Sequence, residues 1–393
     1  MAFWNGLKNI FKKESRITTV LAPLPEVEHM PKNYFSYFKA YNRNPYLRAA
    51  IDLIAKSIAS IEILLYANNT EIEQSQYLDL VYKPNPYQNK SVFLQSLARM
   101  SLITGNAFIE IVRVGNTPKE LYVLRTDRVF MKVGKRFGEI DKYVYSVDAQ
   151  KVEFEPQDIL HVYLSKTQDD WFGDSPLDAC SYSVDMNDAA REWNTRLLQN
   201  GARPMGALIS QHELTDDQLR ILREQFATQY ASARNAGKPL ILQGGLDWKE
   251  IGLTPNEMSW QDAIKITARE IAIVFGVPPE LLGEPEYKTY SNFQEARRQF
   301  FINTVIPIAE IILEQLNKIL PNELEYRIDY DEIEALQEDR NVVWQQVLDA
   351  VSRGVLTINE ARERLGYTKI SGADSLLVNA SLIPLGSGYE EEI

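Results

Sequence analysis

Intramolecular disulfides are excluded at once, because Cys180 is the single cysteine in the chain. That usage suits a reducing compartment. Histidine is nearly as scarce. His29, His161 and His212 lie far apart, with no Cys or His at ligand spacing, so no metal site is expected. No apolar run approaches the roughly 20 residues that a membrane span needs. Asn5, Lys8, Asn9, Lys12 and Lys13 interrupt every apolar stretch near the start, so neither a signal peptide nor a membrane partner is expected. Positive charge is also short. The net charge is −12 over 393 residues, whereas proteins that hold nucleic acid by its phosphates are usually basic.

Catalytic patterns are missing too. Gly134-x-x-x-Gly138 and Gly244-Gly245 are not followed by Gly-Lys-Ser/Thr, so they are not phosphate loops. Glu323, Glu325, Asp329 and Asp331 would suit a metal-dependent nuclease. Their near-alternate spacing equally suits the solvent face of a strand, and no Lys or His base stands nearby. With no nucleophile, acid–base pair or cofactor fingerprint, we expect no catalytic residues, no cofactor and no enzyme activity.

What is present reads as a chain of mixed helices and strands. The hydrophobic fraction is 45%, normal for sizeable cores, and the length implies two or more structural units. Residues 1–16 place Phe3, Trp4, Leu7, Ile10 and Phe11 on one helical face. That face suits an arm docking on a neighbour or lying on a membrane. Pro23, Pro25 and Pro31 make 17–33 a linker. Asn44-Pro45 opens a helix with Leu47, Ile51, Ile54, Ile58 and Ile61 on one face. A helix is expected at 91–104. Strands are expected at 61–66, 107–114, 121–133, 142–147 and 158–164. This is an α+β unit of short strands and amphipathic helices.

Two long helices follow. Ser175-Pro176-Leu177-Asp178 supplies a cap, a first-turn proline and a first-turn acid. The helix should run to Asn200, before Gly201. The second opens at the capping box Thr254-Pro255-Asn256-Glu257. It carries Trp260, Ile264, Ile271 and Phe275 on one face and stops at Gly276-Val277-Pro278-Pro279. Between them, 202–253 reads as a small α/β insert. It has a helix starting at Thr215-x-x-Gln218 and a hairpin of 240–242 with 246–251 across Gly244-Gly245. After Leu282-Gly283 comes the polar loop 284–290. Ser291-Asn292-Phe293-Gln294 then reads as another capping box, opening a helix through Phe300, Val305, Ile312 and Ile319 with a kink at Pro307. From Glu280 to Asp339 fourteen acidic residues stand against five basic ones, an excess of nine negative charges. A strand at 322–330, short helices at 338–353 and 357–365, and a disordered acidic tail at 386–393 complete the reading.

Several phrases, in order, resemble the tailed-phage portal proteins of the HK97 type. They are Ile54-Ala55-Lys56-Ser57-Ile58-Ala59-Ser60; Gly105-Asn106-Ala107-Phe108; and Leu121-Tyr122-Val123-Leu124-Arg125-Thr126-Asp127-Arg128-Val129, where Thr126 or Arg125 stands for the family's usual proline. Further along come Asn200-Gly201-Ala202-Arg203-Pro204-Met205-Gly206 and the run Ile271 to Gly283 followed by Ser291-Asn292-Phe293-Gln294-Glu295-Ala296. The last is Thr357-Ile358-Asn359-Glu360-Ala361-Arg362. Together they span about 41–367.

The resemblance implies a portal fold. Its parts would be an N-terminal arm at 1–33, a wing at 34–174, a stem helix at 175–201, a clip at 202–253 and a second stem helix at 254–278. A tunnel loop at 279–291, a tunnel helix and wing return at 292–335, a short helical crown at 336–370 and a tail at 371–393 would follow. It implies a ring, typically of twelve copies, at one capsid vertex of a virion, assembled in host cytoplasm. Double-stranded DNA would be pumped through it, retained and ejected. Terminase, the major capsid protein and scaffold, and a head–tail adaptor are implied partners. DNA contact is implied for Glu286, Tyr287, Lys288, Thr289 and Tyr290 in the tunnel loop. Contact with motor or adaptor is implied for Arg220, Arg223, Arg234, Lys238 and Trp248 in the clip. Asp178, Asp185, Asp188 and Glu192 read as a solvated or channel-facing stripe. Free phage, prophage and gene transfer agent all fit. An adaptor ring that never carries DNA and a nucleic-acid enzyme are the rival classes.

Overall fold

The computed structural model describes residues 28–29, 34–134, 139–148, 150–167, 169–199, 206–210, 214–229, 246–250, 260–283, 290–337 and 340–376. They belong to two compact units, Met1–Ser60 with Leu64–Arg327, and Ile61–Ile63 with Ile328–Ile393.

Strand β1 (Glu28–His29) leads to helices α1 (Tyr34–Arg43) and α2 (Pro45–Ser60). Asn44 stands between the helices. Its side-chain oxygen accepts the amides of Tyr46 and Leu47 at 3.1 and 3.0 Å, so it caps the second helix. α2 buries Leu47, Ala50, Ile51, Ile54, Ala55, Ile58 and Ala59, the stripe that a core-facing helix needs. After β2 (Ile63–Ala67) and β3 (Thr70–Glu71) come α3 (Gln76–Tyr82) and α4 (Lys90–Thr104), and α4 packs across α2. Strands β4 (Asn106–Val114), β5 (Thr117–Leu124), β6 (Val129–Val133), β7 (Ile140–Val147), β8 (Gln150–Phe154) and β9 (Ile159–Tyr163) form antiparallel sheets ordered β5-β4-β9 and β1-β6-β7-β8. Phe108, Leu124, Val129, Met131, Tyr143, Ile159, Trp171 and Phe172 share one core cluster.

The expected long helix from Ser175 is interrupted. Ser175 does cap it, accepting the amide of Leu177, but Cys180 leaves helical geometry at φ −112° and ψ 14°. The result is a short α5 (Pro176–Ala179) and a long α6 (Ser181–Gln199). Next come β10 (Gly206–Ser210), α7 (Asp216–Gln229) and β11 (Leu246–Glu250). Thr215 and Gln218 form the expected reciprocal cap at the start of α7. Strand β11 pairs antiparallel with β10, a partner the sequence reading did not name, from Gly206 opposite Glu250 to Ser210 opposite Leu246. Its expected mate at 240–242 lies outside the described residues, as does the cap at Thr254.

Helix α8 (Trp260–Val274) and helices α9 (Tyr290–Phe300) and α10 (Ile306–Asn317) follow. Ser291 is a helical residue, not a cap, because α9 is already under way at Tyr290. The kink near Pro307 takes a definite form. Phe301–Val305 is a π-helical turn directly before α10. Proline has no amide to give Asn303, and its ring crowds that carbonyl, so a widened turn is accommodated there. Ser291–Asn317 is long and apolar enough to cross a membrane by length and composition, although no unbroken apolar run announces it. It is a core helix. Ile306, Ala309, Ile312, Leu313 and Leu316 are buried, and α10 packs on α2 and β9. β12 (Leu324–Ile328) lies next to β2 in a sheet ordered β12-β2-β3. It buries Tyr326 and Ile328 and turns Glu325 away from them. In the second unit, Thr357 and Glu360 form a complete capping box for α12 (Ile358–Arg364), which follows α11 (Arg340–Ser352).

A single carboxamide joins much of the first unit. Asn106 is fully buried. Its nitrogen reaches the Tyr34 hydroxyl at 3.0 Å and the carbonyls of Thr104 and Gly173 at 2.9 and 3.0 Å. Its oxygen accepts the Gly173 amide at 2.6 Å and faces His161 Nε2 at 2.8 Å. An oxygen that already accepts requires His161 to donate, which sets the neutral tautomer with hydrogen on Nε2. Burial first, then the charges of Lys166 and Lys318, push the His161 pKa down from 6.5 to about 3. The ring stacks on Phe108, centroids 4.4 Å apart. Gly105 makes the arrangement feasible. Its φ is +77°, and a Cβ there would stand 2.3 Å from the Asp174 carbonyl oxygen.

Asn106→Ala should destabilise the chain by about 3 kcal/mol or more, since several buried partners lose their bonds together. Asn42→Ala, at an exposed site, should cost less than about 0.5 kcal/mol. Chemical denaturation of both variants measures the difference. His161 makes a second prediction. The unfolded chain takes up a proton near pH 6.5 that the folded chain refuses until about pH 3. Stability therefore falls as pH drops below 6.5. Thermal unfolding from pH 7 to 5, with carboxylate titration common to both proteins, should show a smaller decline in Tm for His161→Gln than for the parent.

Candidate functional site

Helices α6 and α8 run antiparallel and are joined by polar contacts. Asn187, fully buried, donates to Thr267 Oγ1 at 2.8 Å and to the Ile264 carbonyl at 3.2 Å. One turn nearer the start of α6, Ser183 donates to Glu270 at 2.6 Å. At the other end the Trp193 and Trp260 rings stack with centroids 5.1 Å apart. A buried amide with two specific partners fixes the register of a helix pair that apolar contacts alone would let slide.

The acidic stripe on this helix is not uniformly solvated, which corrects the expectation. Asp178 accepts from the Tyr37 hydroxyl. Asp188 receives Asn44 at 2.9 Å and lies 3.5 Å from Arg43. Glu192 receives Arg43 at 2.9 Å and Arg196 at 2.6 Å. Three of the four carboxylates therefore strap α1 and Asn44 onto α5 and α6. Asp185 is exposed and has no ion pair among the described residues. The sequence reading missed α1 altogether, although Tyr34, Tyr37, Phe38 and Tyr41 stand at helical spacing.

Helix α8 ends as its residues dictate. Gly276 has φ +64°, and its carbonyl accepts Thr304 Oγ1 at 2.7 Å. A Cβ at Gly276 would stand 2.5 Å from that hydroxyl. A 3-10 turn, Pro279–Leu282, closes on Gly283 at φ +94°. The turn packs against α2, α8 and α9. The chain thus leaves at Gly283 and returns at Tyr290 beside the same packed elements. Next to this point lies a cleft of about 340 Å³ lined by Leu53, Lys56, Ser57, Arg297, Phe300 and Phe301, with Ser60, Leu281 and Phe293 at its other walls. On the exposed side of α9, Gln299 donates to Glu295 at 2.8 Å and Asn303 donates to Gln299 at 2.9 Å.

The expected contact residues are placed unevenly. Glu286, Tyr287, Lys288 and Thr289 lie outside the described residues, and Tyr290 is the first residue of α9. Arg220 is exposed on α7 between Asp217 at 3.6 Å and Glu224 at 3.7 Å, and Arg223 is exposed beside it. Trp248 sits in β11 opposite Leu208. Arg234 and Lys238 lie outside the described residues. Glu325 pairs with Arg327 at 2.9 Å, and Asp329 accepts the Asp331 amide at 3.0 Å. Those carboxylates already serve local structure.

Comparison with known proteins agrees with this architecture. Residues 45–366 match the family described as phage portal protein. The portal protein of Enterobacteria phage HK97 is 23% identical over 318 residues, covering 78% of this chain and 73% of that one. A chain from the neck of a native gene transfer agent particle, computed with C12 symmetry, is 32% identical. It covers 89% of this chain and 98% of that one, with a TM-score of 0.64. The crystal structure of an HK97-family phage portal protein from Corynebacterium diphtheriae shares 12% identity and a TM-score of 0.59, covering 77% of this chain and 97% of that one, a likeness of fold. With the family match reaching from the start of α2 to just past α12, the chain belongs to the phage portal protein family.

Proposed function

We propose that this chain forms the portal ring at one vertex of a capsid, the channel through which double-stranded DNA is packaged, retained and ejected. The observation that carries the proposal is likeness to a chain of a C12 neck over 89% of this sequence. On this reading α6 and α8 are the stem, 202–253 is the clip that meets terminase and later the head–tail adaptor, and the second unit is a crown. The capsid protein and scaffold grip the outside.

The chemistry suits a conduit. Residues 284–289, which join Gly283 to Tyr290, are polar in sequence apart from Pro285, and the 3-10 turn before them packs on the helix after them. Lys288 is its single cation, with Glu284 and Glu286 before it. Duplex DNA carries one charge about every 1.7 Å of axis, so one lysine per subunit gives sparse contact. The excess of nine negative charges from Glu280 to Asp339 opposes adhesion. A sliding polymer needs that balance, with Tyr287, Thr289 and Tyr290 as neutral guides. The ring performs no hydrolysis of its own.

Light scattering of the 45.1 kDa chain should report a ring of about twelve copies, and class averages should show a central opening. Deleting 286–289 should leave the ring intact but lower the amount of full-length DNA retained in particles. Normal packaging and retention by that variant would remove the loop from the DNA path. Purified rings should leave duplex DNA intact in magnesium. Cleavage that disappears in Asp329→Asn with Asp331→Asn would establish an enzyme instead.

A further inference from the structure

We infer that the cleft beside Gly283 is a socket for the neighbouring copy of this chain, which inserts Tyr182, Asp185 and Met186 from its α6. This rests on the ring proposed above. The socket has apolar walls from Leu281, Phe293, Phe300 and Phe301, hydroxyls from Ser57 and Ser60, and the cations Lys56 and Arg297 at its edge. Lys56 is exposed and makes no ion pair among the described residues. A space of about 340 Å³ with a cation at its mouth fits an aromatic or thioether side chain that has a carboxylate one turn away.

Helix α6 presents that combination. Tyr182 is 88% exposed and Met186 49% exposed. These four-apart residues share a face, with Asp185 beside them. Asp185 is the stripe carboxylate that α1 and Asn44 leave unused. Tyrosine and methionine are residue types enriched at the centres of protein interfaces.

Placement also agrees. Helix α8 packs on α6, which carries the knob, and on α2 and the 3-10 turn, which supply walls of the socket. Knob and socket are therefore different surfaces of one subunit, with no residue in common. A head-to-tail contact of this kind closes into a ring, whereas a self-complementary patch would stop at a dimer. Both also lie at the Val274 end of α8, since Ser183 meets Glu270 and Gly276 meets Thr304. Rotation about an axis along the stem adds no rise, so knob and socket must share a level.

The test is a charge swap followed by sedimentation velocity at low salt, at concentrations where the parent is half assembled. Lys56→Glu and Asp185→Lys should each raise the assembly midpoint roughly tenfold. The double variant should recover most of the loss. Tyr182→Ser should raise the midpoint with an unchanged monomer circular dichroism spectrum, because its side chain is solvent-exposed in one copy. Rings that form normally in all four variants, or single effects that merely add in the double, would overturn the socket and leave the ring standing. A parent chain that stays monomeric at every concentration would remove both.

Discussion

The contact of Gly105 with Asp174, and the carboxamide of Asn106 beside it, is the constraint on which the first unit depends. The end of α4, the start of β4, β9 and the Gly173 segment all meet there, and α1 reaches in through the Tyr34 hydroxyl. Ser175, two residues past Gly173, donates to the Ile103 carbonyl at 2.7 Å while its oxygen caps α5. The same few atoms thus set where the sheet begins and where the long helix is launched. Backbone contact this close admits no side chain, and each buried polar atom finds its partner within the cluster.

From that anchor outward, polar contacts do the work of register. Asn187 ties α6 to α8, and Arg43 ties α1 to Asp188 and Glu192. Helix α6 is not strongly apolar, so its position owes more to named hydrogen bonds than to burial. That economy leaves much of its surface, including Tyr182 and Met186, open to other chains. In the ring proposed above, the acidic run around Lys288 would keep contact with duplex DNA weak.

How much of this was legible depended on range. Caps are local, and Ser175 and Thr215 act as their spacing suggested, while the capping box of Thr357 with Glu360 went unread. Ser291 did not, because a capping pattern cannot tell the first helical residue from the one before it. Pairing is non-local, so the partnership of β11 with β10, some 40 residues away, was not readable from its neighbours in sequence. The stripe from Asp178 to Glu192 looked solvated because its partners lie about 140 residues earlier, on a helix whose aromatic spacing went unread. The residues expected to touch DNA, motor or adaptor came from resemblance to a family, not from chemistry readable in those positions.

The π-helical turn at Phe301–Val305 has a consequence for counting along the helix. One residue more than an α-turn shifts the azimuth of all that follows by about 100°. Adjacent Phe300 and Phe301 can therefore both be buried, and the apolar stripe of α10 is out of phase with that of α9. No single helical wheel describes Ser291–Asn317. Chain length here matters as much as composition. Losing one residue from the turn would let it close as an ordinary helix and leave the buried face of Ile312 and Leu316 where it stands, whereas losing one from an α-helical turn on either side would rotate the two halves against each other.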